Sequence, residues 1–301
     1  MDGLSGRVTS TASDTLTNLM VIWAEDFLRR YPEDVRFELV GRSGASTAPW
    51  ALRTGRAELG PTSRPLNDSE IRQLEEKRGI RPTSIGVALD CLAVYVHSEN
   101  PIASLSVPQL DGMFSRMRKS GFGDDLVTWG QVGLTGAWSE RPIHLYGRNS
   151  ASGTYEYFRK HALFGGRFKD TVKEHPGSAS IVRGVSEDPG GIGYSGFGYR
   201  TEGVKLLSLA RDAGQRAFRP SAEHGLSGEY PLTRMLYIHV VASSEKPLSP
   251  AAFEFLRYVL SRDGQAIVSR GGFIPLASEQ VETALKRLQK LVSKDPGGGG
   301  G

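Results

Sequence analysis

Apolar positions in the first third of the chain recur at the spacings of amphipathic helices and half-buried strands. Leu19, Ile22, Trp23 and Phe27 fall at i, i+3, i+4 and i+8, which predicts a helix through this stretch. The elements predicted after it are a strand over 35–40, a helix over 48–54, a strand over 57–60 and a helix over 68–78. Strands that alternate with helices in this way are typical of an open α/β sheet.

Two long apolar runs, near 85–97 and 235–243, predict buried strands that bracket the middle of the chain. The elements predicted between and after them are a helix from 107, a loop over 119–136, a strand over 143–146, a helix over 178–185, a turn and strand over 190–195, and helices over 250–261 and 279–292. A middle segment reached through two crossing strands predicts two lobes with a hinge between them.

We therefore predict an α/β fold of two lobes, each with a central mixed sheet flanked by helices, joined by a two-strand hinge. Residues 1–90 and 236–292 are expected to form lobe 1, and residues 91–235 to form lobe 2. The glycine-rich end, 293–301, is expected to be a linker or an added tail. Because clefts between lobes are preferred ligand sites, we expect the functional residues on loops that face such a cleft.

Small polar loops precede several of the predicted helices. The longest, 147–154, has the sequence GRNSASGT and leads into an aromatic helix. A Ser-Gly-Thr at a helix start offers hydroxyls and backbone N–H groups, and the helix dipole and Arg148 add positive charge. These features are typical of an oxyanion site, although an ordinary N-cap beside a surface arginine explains this stretch equally well. The other loops of this kind contain Asp14 with Thr15, Ser46 with Thr47, and Ser63 with Arg64.

Composition and charge narrow the classes of function. The chain has 301 residues, a net charge of +4 and a pI of about 9.1, which suits an anionic ligand. No dense Lys/Arg run interleaved with aromatic residues occurs, so we expect no nucleic-acid partner. Cys91 is the single cysteine, which excludes an intrachain disulfide. No run of about 18 apolar residues occurs that could span a membrane.

Common catalytic and cofactor motifs are missing or out of context. The GIGYSG sequence at 191–196 fits the dinucleotide pattern G-x-G-x-x-G, but it follows a turn and leads into no clear helix. No P-loop and no G-x-S-x-G elbow occurs, and the histidines lack metal-ligand spacing. We therefore expect no cofactor, no metal site, no catalytic residues and no enzyme activity.

On these motifs, the chain resembles the phosphate-binding proteins of the phosphate-specific ABC transporter, which have the type II periplasmic binding protein fold. The 147–154 motif carries most of the resemblance, which extends from about Val8 to Glu279. The supporting motifs are GRAELG at 55–60, SRPL at 63–66, NPI at 100–102, GGIGY at 190–194 and GGFIPL at 271–276.

The resemblance implies a protein that binds hydrogen phosphate or dihydrogen phosphate in a cleft between its lobes and closes around it by a hinge motion. It also implies a membrane permease of an ABC transporter as partner, a monomeric state, and a location in the periplasm or on the extracellular surface. The phosphate ligands it implies are Asp14, Thr15, Ser46, Ser63, Arg64, Arg148, Ser150, Ser152, Gly153 and Thr154.

Two positions depart from the pattern of some family members. Arg64 and Ser150 stand where those members carry an aspartate, and the family's binding-site aspartate accepts the proton of hydrogen phosphate. Such an acceptor favours phosphate because an ionised carboxylate repels sulfate. We hypothesise that Asp14 accepts this proton; a plain N-cap is the alternative role. The alternative functions are a phosphatase-related enzyme, a sensing or adhesion module, and a receptor for another oxyanion such as sulfate.

Overall fold

The computed structural model describes residues 4–11, 13, 15–31, 34–40 and 47–292. The chain folds into two compact units. Unit 1 consists of Met1–Ala88, Met235–Gly271 and Pro275–Gly301. Unit 2 consists of Leu89–Arg234 and Gly272–Ile274. Within the described ranges, no helix is both long and apolar enough to cross a membrane.

Strands and helices alternate along most of the described chain. The strands are β1 Gly6–Thr11, β2 Val35–Val40, β3 Gly60–Thr62, β4 Thr83–His97, β5 Ser104–Ser106, β6 His144–Arg148, β7 Lys173–His175, β8 Gly191–Gly196, β9 Val204–Leu206, β10 Ser208–Ala210 and β11 Thr233–Val240. The helices are α1 Thr17–Arg30, α2 Thr47–Thr54, α3 Asp68–Arg78, α4 Val107–Phe114, α5 Gly153–His161, α6 Ser178–Ser186, α7 Ala222–Leu226, α8 Pro250–Val259, α9 Arg262–Arg270 and α10 Ser278–Gln289.

In unit 1, helices pack against two pairs of strands. β1 pairs with β2 in parallel, and β3 pairs with the second half of β11 in antiparallel orientation. The apolar face of α1 is buried, and the indole N–H of Trp23 donates to the carbonyl of Gly264 in α9 over 2.8 Å. The rings of Phe27 and Phe255 pack edge to face at 5.4 Å, which joins α1 to α8.

In unit 2, a mixed sheet runs in the order β4, β8, β6, β7. β8 lies antiparallel to β4 and parallel to β6, and β7 is parallel to β6. Helix α6 packs against this sheet through Ile181 and Val185. A Cβ at Gly193 of β8 would lie 2.8 Å from Ile181 and 3.0 Å from Val185, so this close approach of helix and sheet requires glycine.

Several predicted elements are confirmed at nearly the predicted bounds: α3 at 68–78, α6 at 178–186 and α8 at 250–259. The strand predicted over 57–60 is displaced to Gly60–Thr62. The segment 119–136, predicted as loop, contains a short 3-10 helix at Trp129–Val132. The α/β fold class is confirmed.

Seven of the described strands and helices were not predicted, namely β1, β5, β7, β9, β10, α7 and α9. For β1 and α9 the reason lies in their sequences. β1 has the polar sequence GRVTST. Its last four side chains are buried although three of them are polar, so the sequence shows no alternation of apolar and polar residues that would indicate a strand. α9 begins with an Arg-Asp-Gly sequence that favours a turn. Ser261 caps this helix by accepting the N–H of Gly264, and that bond offsets the unfavourable start.

Candidate functional site

Arg148 is the last residue of β6, in the middle of the unit 2 sheet. Its side chain is almost fully buried, with 1% exposed. Nη2 donates to the carbonyl of Pro176 over 2.9 Å, and Nη1 donates to Oγ of Ser178 over 3.3 Å. Ser178 is the first residue of α6. The guanidinium is therefore held at the carboxyl end of β6, where open α/β sheets bind ligands.

Tyr194 of β8 ties this strand end to helix α5. The backbone N–H of Arg148 donates to the hydroxyl of Tyr194 over 3.3 Å. The ring of Tyr194 stacks on Phe158 of α5, with centroids 3.8 Å apart and planes 5° from parallel. Burial raises the pKa of Tyr194, so its hydroxyl keeps its proton. One fully buried side chain thus fixes both the strand end and the helix that follows it.

The start of α5 provides hydrogen-bond donors. Ser152 caps the helix, and its Oγ accepts the N–H of Thr154 over 3.1 Å. Because this bond uses a lone pair, the hydroxyl proton of Ser152 can still be donated. Gly153 lies in the first turn, where N–H groups have no carbonyl partner within the helix and the helix dipole is positive. Ser152, Gly153 and Thr154 are buried, whereas Ser150 is exposed.

In unit 1, Thr15 precedes α1 in a tight turn. The hydroxyl of Thr17 donates to the carbonyl of Ser13 over 2.5 Å, and the N–H of Ser13 donates to Oγ1 of Thr17 over 3.1 Å. Thr15 lies between Ser13 and Thr17 in the sequence, and its side chain is buried, with 3% exposed. Asp14 and Ser46, which the sequence also predicts as ligands, lie outside the described residues.

Ser63 and Arg64 form a buried bend directly after β3. Arg64 faces Glu70 of α3: Nη1 lies 2.8 Å from Oε2, and Nη2 lies 2.7 Å from Oε1. Glu70 belongs to the capping box of this helix, in which its Oε2 also accepts the N–H of Asn67 over 2.9 Å. The guanidinium of Arg64 is therefore largely neutralised by a carboxylate of its own unit.

The structure brings four of the sequence-predicted residues together within unit 2, whereas Thr15 and the Ser63–Arg64 bend lie at separate turns of unit 1. Arg148, Ser152, Gly153 and Thr154 share the β6–α5 junction of unit 2. The described residues contain no group of three His, Cys, Asp or Glu side chains that could hold a metal ion. The arrangement in unit 2 can therefore bind an anion through a buried cation, hydroxyls and backbone N–H groups.

Sequence reasoning missed Glu70, Ser178 and Tyr194 as partners of these residues. The Asn67-x-x-Glu70 spacing is a capping-box signal and could have placed Glu70 at a helix start next to Arg64. Ser178 begins a helix directly after Gly177, which is a further polar helix entrance. Nothing local in the sequence indicates that Tyr194 reaches Arg148, because β6 and β8 become neighbours only in the folded sheet.

The comparisons with known proteins agree over nearly the whole chain. The family model described as PBP superfamily domain matches residues 2–263. Phosphate-binding protein PstS of Pseudomonas aeruginosa is 47% identical over 286 residues, which cover 95% of this chain and 88% of that protein. Protein SphX of Synechococcus elongatus is 29% identical over 94% of this chain and 81% of that protein.

Solved structures show the same fold. A putative phosphate ABC transporter substrate-binding protein with bound phosphate from Clostridium perfringens has a TM-score of 0.73 at 22% identity, over 90% of this chain and 100% of that one. An ABC-type phosphate transport receptor from Vibrio cholerae has a TM-score of 0.67 at 21% identity, over 90% of this chain and 100% of that one. These likenesses confirm the expected periplasmic-binding-protein fold.

Proposed function

The chain belongs to the PBP superfamily and, within it, to the PstS phosphate-binding proteins, and we propose that it binds inorganic phosphate. It is a binding protein rather than an enzyme, as the family is one of substrate-binding proteins. We propose that it takes hydrogen phosphate or dihydrogen phosphate as the substrate-binding component of an ABC phosphate uptake system.

The observation that carries the proposal is the buried guanidinium of Arg148 at the end of β6, the strand that leads into the start of α5. A cation excluded from water forms strong charge-assisted bonds with an anion, and Ser152, Gly153 and Thr154 add neutral donors without adding charge. The ligands we propose are Arg148, Ser150, Ser152, Gly153 and Thr154 of unit 2, Thr15, Ser63 and Arg64 of unit 1, and Asp14 and Ser46.

We also propose the finer features that the resemblance implies. The two lobes correspond to the two units, the protein acts as a monomer, and its partner is the membrane permease of the transporter. Its working location is the periplasm or the extracellular surface.

Isothermal titration with phosphate tests the proposal. The protein is first unfolded and refolded to remove bound phosphate, and it should then bind one phosphate per chain. Arg148→Ala should lose most of this affinity, because it removes the buried cation. Arg183→Ala removes an exposed arginine of α6 in the same unit and should bind like the unaltered protein. Refolded protein that gives no binding heat with phosphate would contradict the proposed function.

A turnover assay separates the binding protein from the phosphatase-related alternative. A generic phosphate ester should remain intact with the refolded protein, because the residues at the β6–α5 junction provide donors and no nucleophile paired with a base. Hydrolysis that disappears in Arg148→Ala would instead assign an enzyme activity to this site.

A further inference from the structure

His239 of β11 is fully buried in unit 1 between two hydroxyl groups. Its Nε2 lies 2.7 Å from Oγ1 of Thr62, the last residue of β3. Its Nδ1 lies 2.8 Å from Oγ of Ser84, near the start of β4. The pairing of β3 with β11 places His239 opposite Gly60, so the imidazole reaches Thr62 along the strand. Three strands of unit 1 thus meet at one imidazole.

The direction of these hydrogen bonds follows from Thr62. Its Oγ1 lies 2.5 Å from the carbonyl oxygen of Arg64, which can only accept, so the hydroxyl proton of Thr62 points at Arg64. Thr62 must then accept its second bond from His239, and this requires a proton on Nε2. The other ring nitrogen, Nδ1, is left unprotonated and accepts the hydroxyl proton of Ser84. A chain of hydrogen bonds that all point in the same direction therefore runs from Ser84 through His239 and Thr62 to the backbone carbonyl of Arg64. We call this chain the relay.

The imidazole stays neutral under ordinary conditions. Burial lowers the pKa of His239 to about 4, since no carboxylate contacts either nitrogen within the described residues. A neutral imidazole has one donor and one acceptor, and both are satisfied here. A protonated ring would offer two donors and no acceptor, so Nδ1 could no longer accept the hydroxyl proton of Ser84.

The relay ends at the bend that carries Ser63 and Arg64. The side chain of Arg64 is held from the other side by Glu70, so the bend is fixed both through its backbone and through its side chain. We propose that His239 is a positioning residue for phosphate binding, which sets the Ser63–Arg64 bend through Thr62. This inference rests on the proposed function, because Ser63 and Arg64 are ligands only in that proposal.

Phosphate affinities of His239 variants test the proposal. His239→Leu removes both ring nitrogens, so the buried hydroxyl of Thr62 and the half-buried hydroxyl of Ser84 each lose a hydrogen-bond partner. The variant should weaken phosphate binding about tenfold. His239→Gln can still place an amide N–H near Thr62 and should stay within about threefold of the unaltered protein. This partial rescue is not expected of a residue that only fills space.

A second variant covers the case in which His239→Leu does not fold. Thr62→Val has nearly the same shape but no hydroxyl, so it breaks the relay at its last step and should weaken phosphate binding to a similar extent. Trp23→Phe is the matched control, because it removes a buried hydrogen bond of unit 1 that does not involve the bend. It should lower Tm and leave the phosphate Kd unchanged.

Nitrogen NMR of the phosphate-free protein provides a readout independent of binding. The Nε2–H tautomer of His239 is expected, and the Nδ1–H tautomer would overturn the proposal. Phosphate affinity that is unchanged in folded His239→Leu and Thr62→Val, or that falls equally in Trp23→Phe, would also overturn it. If the unaltered protein itself does not bind phosphate, the proposed function fails, whereas the tautomer result still stands.

Discussion

Arg64 and Glu70 form a bidentate ion pair within unit 1, in which each terminal nitrogen of the guanidinium donates to one oxygen of the carboxylate. The side chains are 10% and 16% exposed, so water screens the pair only partly. The resemblance implies Arg64 as a phosphate ligand at a position where some family members carry an aspartate. In the structure, Arg64 and Glu70 together carry almost no net charge, and the pair adds a carboxylate at this position.

We expect this carboxylate to disfavour sulfate. Glu70→Gln keeps an oxygen acceptor for Arg64 but removes the negative charge, so the affinity for sulfate should rise about five- to tenfold relative to that for phosphate. Competition titrations of the two anions at constant ionic strength measure the ratio. Glu75→Gln, in the same helix and paired with the exposed Arg81, is the control. An unchanged ratio in Glu70→Gln would show that the pair has no part in selectivity.

Asp14 is the second candidate for selectivity. If it accepts the ligand proton, Asp14→Asn should lower the preference for phosphate over sulfate, because an amide does not repel a fully deprotonated anion. Isothermal titration with both anions decides this. An unchanged preference would leave Asp14 with the role of a plain helix cap.

The contact between Tyr194 and Arg148 leads to a prediction for unit 2. Tyr194→Phe keeps the stack on Phe158 but leaves the buried N–H of Arg148 without its acceptor, which should cost about 1–3 kcal/mol of stability. Phosphate affinity should fall at the same time, because the carboxyl end of β6 is then less well fixed. Urea unfolding and titration of the same preparation measure both effects. A loss of stability with full affinity would limit Tyr194 to a packing role.

His239 should make stability depend on pH in a defined window. In the unfolded chain a histidine has a pKa near 6.5, whereas burial lowers the folded value to about 4. Between these values the unfolded state binds more protons, so stability rises with pH. The contribution is fully present above the unfolded pKa and is lost as the pH falls towards 4, by an amount on the order of 3 kcal/mol.

His239→Gln tests this contribution, since all other histidines are unchanged in the variant. The difference in unfolding free energy between the two proteins should change steeply between pH 4 and 6.5 and should be constant above that range. The charge of Arg64 lowers the pKa of His239, and the charge of Glu70 raises it. A difference that does not vary with pH would mean that His239 is accessible to protons in the folded state.

A buried ion pair lies where the chain passes between the units. Oδ2 of Asp90 accepts from Nε and Nη2 of Arg234 over 3.0 and 2.7 Å, and the two side chains are 0% and 2% exposed. Asp90→Asn should cost about 3–5 kcal/mol, because it leaves a buried guanidinium without its counter-charge. Asp90→Leu combined with Arg234→Met should recover most of this loss.

Urea unfolding of the single and double variants measures these energies. Arg183→Ala breaks an exposed pair with Glu187 and should leave the unfolding midpoint unchanged. A single Asp90→Asn variant as stable as the unaltered protein would mean that water reaches Arg234 in the folded state.

Much of the fold could be predicted from local patterns. The α3 bounds follow from Asn67 and Glu70 at its start and Gly79 at its end, all of which are sequence signals. β1 could not be found in this way, because its buried side chains include Thr9, Ser10 and Thr11, which tertiary contacts place inside. Local pattern is informative only where the buried side of an element is also its apolar side.

In the candidate site, too, residues that are close in the sequence could be predicted to lie together, whereas contacts between distant elements could not. Arg148 and the Ser152-Gly153-Thr154 start of α5 lie within one short segment, so their grouping could be predicted from spacing alone. The partners that fix them could not, because Tyr194 and Ser178 come from other elements. His239 is separated from Thr62 by 177 positions, and no local signal relates them.

The short segment Gly272–Ile274 constrains the order in which the protein can fold during its synthesis. Ile274 belongs to unit 2 and exchanges two backbone hydrogen bonds with Leu89, of 2.8 and 2.9 Å. Residues 89–234 can therefore emerge from the ribosome without completing their unit, because one edge of β4 still lacks its partner. Unit 1 likewise needs α8 and α9 to cover β1 and α1. Neither unit reaches its final structure until nearly the whole chain has been made.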